Sequence, residues 1–134
     1  MTPLPRASIL ALAFYFGLPL VQISGTLRGQ AVSTDPILAI AHKLFTEATL
    51  LASQGLHDEA ETRLWQTLSI REKALGLDHP DVAITLHNLG FIYNAQGRYE
   101  EAEPLLRRAL IIRETAFGPQ HLEVALTLNS LAFT

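Results

Sequence analysis

Five histidines, His42, His57, His79, His87 and His121, are the natural candidates for metal chemistry in this chain of 134 residues, because cysteine is absent. Helical metal ligands recur at i,i+3 or i,i+4, which puts two imidazoles on one face. No pair of these histidines has that spacing. His79 and His121 are 42 residues apart and stand before similar segments, so they read as one position seen twice, capping or packing before a helix. Two acidic clusters, Asp58, Glu59 and Glu61 and then Glu100, Glu101 and Glu103, have the density needed for a general acid–base pair. They too repeat at 42 residues. A solvated row of carboxylates at a helix N-terminus, where the dipole favours negative charge, accounts for them without an active site. Arg71-Glu72 and Arg113-Glu114 recur in the same way. They read as surface ion pairs that fix a linker, each worth little on its own. There is no nucleophile elbow and no G-x-x-x-x-G-K loop. No catalytic constellation emerges, and neither a metal nor a cofactor is expected.

The composition narrows the partners. The formal net charge is −3 and no basic block interrupts the chain, which argues against nucleic acid. Apolar residues make up 49% of the chain, enough to bury a core. Without cysteine there are no disulfides or thiolate sites. Residues 1–34 carry only Arg6 and Arg28 as charges. Arg6 precedes the apolar run ASILALAFYFGLPLVQI (7–23), and Gly29 and Ala31 offer small residues at both cleavage positions. This predicts a secretory signal over 1–31 and a linker over 32–36. The alternative is an uncleaved membrane anchor, although Gln22, Gly17 and Pro19 make the run marginal as a span. Either reading predicts an exported or membrane-tethered protein, with membrane contact only through residues 7–23.

Those chemical residues sit on a repeat. Residues 54–92 align without a gap against 96–134, with about half the positions identical. QGLHDEAETRLWQTLSIREKALG matches QGRYEEAEPLLRRALIIRETAFG, and HPDVAITLHNLGF matches HLEVALTLNSLAF. The organisation predicted is repeat one at 37–78, repeat two at 79–120 and a partial repeat at 121–134. Each repeat reads as two helices. Val82, Leu86, Leu89 and Tyr93 share one face, with Ala83, Gly90 and Ile92 widening it. Gln96-Gly97 stops that helix, Gly97 being suited to a left-handed C′ position. Ala102, Leu106, Ala109 and Leu110 define the second helix, and Leu105, Ile112 and Ala116 its other flank. Pro104 lies near its first turn, as a tolerated slight bend. Ala83, Gly90, Ala102 and Ala109 are expected where helices approach closely, and Tyr99 is expected to pack. No segment of 37–134 reads as a strand.

From Ala83 onward, Leu86, Leu89-Gly90, Tyr93, Gly97, Tyr99, Ala102, Leu106 and Ala109 resemble the tetratricopeptide repeat. The 42-residue period, the HPDVA opening and the LxxRALxIRE helix resemble its kinesin-light-chain subclass. The resemblance covers 37–134 and implies an all-α fold, a right-handed solenoid of antiparallel helix pairs. Repeat one departs from the pattern: Glu47 stands where a large apolar residue is usual, Thr67 replaces the small alanine, and Trp65 and Gln66 replace Arg107 and Arg108. It reads as an N-terminal cap with one face in water.

The same resemblance implies a scaffold without catalysis that binds a protein or extended peptide on the concave face, lined by the first helices. It points to His42, Phe45 and Thr49 in repeat one, His87, Asn88, Phe91 and Asn94 in repeat two, and Asn129 in the third. Ala52, Ile84, Leu126 and Phe133 flank these. Aromatics there would anchor a partner and asparagines pair with its backbone. The rival readings are a regulatory arm of a larger protein, protease domains included, and a structural or oligomerisation spacer. Thr134 falls inside a first helix, so the chain is expected to be a fragment or to self-associate through its open end. Leu128, Leu131 and Phe133 are expected to pack back on repeat two.

Overall fold

A computed structural model describes residues 35–134. The expected signal or anchor over 1–31 lies outside the described residues. Five helices follow in order, α1 (Pro36–Ser53), α2 (His57–Leu75), α3 (Pro80–Ala95), α4 (Tyr99–Phe117) and α5 (Leu122–Leu131). No strand occurs among the described residues. The first helix opens at Pro36, inside the expected linker.

Local chemistry sets the ends of these helices. Asp35 caps α1 by accepting from the Ile37 amide at 2.9 Å, with Pro36 in the amide-free first turn. His79 and His121 cap α3 and α5 through Nδ1, accepting from the amides of Asp81 at 3.1 Å and Glu123 at 3.2 Å. The repeated histidine is therefore a cap. Each short turn inside a helix pair depends on one glycine. Gly97 has φ +73°, and its amide bonds Asn94 O while the Arg98 amide bonds Tyr93 O. Gly55, φ +79°, closes α1 with the same two bonds one repeat earlier. This is the Schellman arrangement, which only a residue tolerant of left-handed φ adopts cheaply. Pro104 sits exposed in α4, which continues through it to Phe117.

Packing is most extensive within the pairs α1–α2 and α3–α4, less so between α2 and α3 and between α4 and α5, and α3 also touches α5. One core runs through both pairs. Leu64 and Leu68 of α2, Val82, Leu86, Leu89, Ile92 and Tyr93 of α3, and Leu106, Ala109 and Ile112 of α4 all belong to it. Burying each large aliphatic side chain contributes about 1.5–3 kcal/mol. The small residues occupy the close approaches, with Ala83, Ala102 and Ala109 fully buried. Three expectations fail at the surface. Ala116 is exposed, Tyr99 is 47% exposed rather than packed, and of Leu128, Leu131 and Phe133 only Leu131 joins the core. Tyr99 opens α4 at the rim of a cleft instead of inside the core, Leu128 is exposed on α5, and Phe133 is exposed beyond the end of that helix.

Of the glycines among the described residues, Gly90 alone is closely packed. A Cβ there would lie 2.5 Å from Leu106 Cγ and 2.6 Å from Cδ2, and Leu106 is fully buried, with nowhere to move. Gly90→Ala should therefore cost about 1–3 kcal/mol through overpacking. Urea titration would measure it. A stability equal to that of the parent would mean that α3 and α4 part freely at this point.

Candidate partner-binding surface

The first helices present two adjoining clefts. One, of about 230 Å³, lies between α1 and α3 and is lined by Ala48, Thr49, Ala52, Ser53, Leu64, Asn88, Phe91 and Ile92. The other, of about 320 Å³, lies where α3 meets α5 and is lined by Phe91, Asn94, Ala95, Tyr99, Asn129, Ser130 and Phe133. Phe91, 58% exposed, is shared by both. Of the residues singled out from sequence, Thr49, Asn88, Phe91, Asn94 and Asn129 thus gather along one continuous surface. Tyr99 is the lining residue that sequence reasoning assigned to packing. Its ring stands at the start of a second helix, where the repeat pattern marks a packing position and says nothing of a cleft.

The asparagines differ. Asn88 turns its amide onto its own helix, donating to Ile84 O at 2.8 Å. Asn94 donates across to Ser130 O at 2.9 Å and so ties α3 to α5. Its Oδ1 is buried with no hydrogen-bond partner, an uncommon and costly state for a carbonyl oxygen. His42 is exposed on α1 and lines neither cleft.

Phe45 and His87 occupy the same repeat position, and both contact a buried arginine. The Arg71 guanidinium lies over the Phe45 ring, 4.7 Å from its centre. Arg113 NH1 lies 3.2 Å from His87 Nδ1. Arg71 also donates to Asp81 O and to Thr85 Oγ1, at 3.1 and 2.9 Å. Arg113 repeats this one unit later on Glu123 O at 3.2 Å and Thr127 Oγ1 at 2.6 Å, and adds an ion pair to the Glu123 carboxylate at 2.8 Å. This corrects the reading of Arg71-Glu72 and Arg113-Glu114 as surface pairs. Both arginines are buried and look away from the adjacent glutamate, towards the first turn of the next helix. Burial lowers both guanidinium pKa values, against the opposing charges of Asp81 and Glu123.

In the first acidic cluster, Glu61 is less solvated than expected. Glu61 accepts from Tyr93 OH at 2.6 Å and pairs with Arg98 at 2.8 Å, while Trp65 Nε1 donates to the same phenol at 3.0 Å. Arg98 stacks on the Tyr93 ring and also holds Glu101, lowering the pKa of that carboxylate. Burial, then the bond to Glu61, raises the Tyr93 phenol above its ordinary value. Glu72 pairs with Arg108 at 2.6 Å. Asp58, Glu61, Trp65 and Glu72 form one stripe of α2, and each binds repeat two. Among the described residues no three metal-binding side chains converge. Likewise, no helix there is long and apolar enough to cross a membrane.

Stacked helix pairs that present a lined surface of first helices, with Asp58, Glu61 and Glu72 engaged in the junction between repeats, define a helical-repeat interaction scaffold. A tetratricopeptide repeat family profile matches residues 39–114 and 81–134, and the chain belongs to that family. No curated protein matches the sequence. Tetratricopeptide repeats generally mediate protein–protein interaction and are typically non-enzymatic.

Thr85→Val and Thr127→Val each remove an acceptor from a buried guanidinium. Each should cost about 1.5–3 kcal/mol, the range for hydrogen bonds to charged groups. Chemical denaturation of both variants checks this, and a loss in only one would end the equivalence of the two junctions.

His87 titrates at about 4, lowered first by burial and then by Arg113, with Glu123 opposing. In the unfolded chain an imidazole titrates near about 6.5. Between those values the unfolded chain takes up a proton that the native chain refuses. The contribution of His87 is therefore complete above about pH 6.5 and is lost as the pH falls towards about 4. Melting temperature should drop over that window, and less steeply in His87→Asn. Identical slopes in parent and variant would exclude His87 as a source.

Proposed function

We propose that this chain is a kinesin-light-chain-like scaffold, exported or membrane-tethered, that holds an extended segment of a protein partner across α3 and α5. The observation that carries this reading is the cleft around Asn94. Three aromatic rings exposed at its rim, Phe91, Tyr99 and Phe133, are anchors of the kind that dominate binding energy. At its floor, Asn94 ties α3 to α5 through its bond to Ser130 O and so fixes the shape of the cleft. The apolar run at 7–23 supports the location.

Peptides selected from a random displayed library on the full chain should weaken about tenfold or more with Phe91→Ala and with Asn94→Ala. Fractionation of the producing cells should find the chain outside the cytoplasm. Selected peptides that bind both variants as tightly as the parent would remove this cleft as the site.

A further inference from the structure

We infer that His87, which lines neither cleft but stands one turn before Phe91 on α3, is a fixed hydrogen-bond donor locked by Arg113 as the Nε2–H tautomer, and that it reads a backbone carbonyl of the extended partner. This rests on the peptide-binding reading above. A neutral imidazole carries one proton, and its place is usually set by weak preferences. Here it is set by a group that can only donate. The guanidinium has no acceptor, and Arg113 NH1 shares its two N–H bonds among Thr127 Oγ1, Glu123 O and, at 3.2 Å, His87 Nδ1, so a proton on Nδ1 would face only a donor. The proton is therefore on Nε2. Arg113 cannot turn aside to release it, because Thr127 Oγ1, Glu123 O and the Glu123 carboxylate hold it, and its side chain is 4% exposed.

Nε2 is free to act. Among the described residues the polar side-chain atoms buried without a partner are His57 Nδ1 and Asn94 Oδ1. His87 Nε2 is not one of them and makes no hydrogen bond there, so it reaches solvent. His87, Phe91 and Asn94 fall at i, i+4 and i+7, along one stripe of α3. Seven residues of helix rise about 10 Å, and an extended chain advances about 3.3 Å per residue. A peptide lying along α3 thus passes from His87 over Phe91 to Asn94 in about three residues, and His87 Nε2 is the donor it meets at the start of that path. The charged groups facing His87 are Arg113 of α4 and Glu123 of α5, and they pair with each other at 2.8 Å. An incoming group therefore meets little net charge, which suits a neutral carbonyl better than a carboxylate. The lowered pKa of His87 keeps the ring neutral over the ordinary pH range.

The repeat supplies the test variants. The equivalent position holds Phe45 in repeat one, where it stacks on Arg71, and Asn129 in the third repeat. His87→Phe keeps a ring on the arginine and removes the donor. His87→Asn keeps both an acceptor for Arg113 and an outward N–H. In the full chain with nitrogen-labelled histidine, NMR should show Nδ1 of His87 unprotonated and Nε2 protonated. Peptides selected from the displayed library should lose about tenfold in affinity on His87→Phe and stay within about threefold on His87→Asn. A proton on Nδ1, or undiminished binding by a folded His87→Phe, overturns this inference alone. If no peptide is selected at all, the peptide-binding reading fails and the partner contact assigned to His87 falls with it, whatever the tautomer.

Discussion

Two buried guanidinium groups hold this stack in register. A helix pair has apolar surface on both sides, and apolar surface by itself does not choose how the next pair is set. Arg71 and Arg113 make that choice. Each leaves the C-terminal half of a second helix and bonds a backbone carbonyl in the first turn of the following helix and a threonine hydroxyl one turn further on. A buried cation needs several acceptors to offset its lost hydration, so only one placement of the next helix satisfies it. The position on the preceding first helix then completes the enclosure, with Phe45 in one unit and His87 in the other. The groove and the junction therefore share residues. A change at position 87 alters both what the surface offers and how firmly the units are joined.

A second constraint joins repeat one to repeat two along the stripe Asp58, Glu61, Trp65 and Glu72. Its centre is the Tyr93 hydroxyl, which accepts from Trp65 and donates to Glu61 while Arg98 covers the ring. The equivalents of these residues in α4 behave differently. Glu103 and Arg107 pair with each other, 2.7 Å apart on the surface. Identical spacing in the sequence thus serves a junction in one unit and a solvated helix face in the next. Glu47 has a similar explanation. Its equivalent, Leu89, is fully buried, but Glu47 meets Arg63 at 3.3 Å on the outer side of repeat one.

Much of the fold is legible in the chain because it depends on short-range rules. The period, the two helices per unit, the left-handed glycines and the histidine caps all follow from residues within a few positions of one another. The candidate surface is legible in part. Thr49, Asn88, Phe91, Asn94 and Asn129 fall together because the helix period places them on first-helix faces. His42 lies outside both clefts, Phe45 and His87 are turned towards arginines, and Tyr99 joins the lining unannounced. None of these outcomes can be read from helix periodicity, since each depends on what a different helix brings opposite.

The sequence by itself determined that this is a helical repeat with 42-residue units, where its helices start and stop, and which small residues lie at close approaches. Those features rest on backbone conformation and on local periodicity, which a linear string records. Only the tertiary structure decided what the charges do. Arg71, Arg113 and Glu61 look like surface residues in the string because their partners lie 10 to 37 residues away. Whether a charge is solvated or enclosed depends on the surfaces that meet around it, and those exist only once the units are stacked.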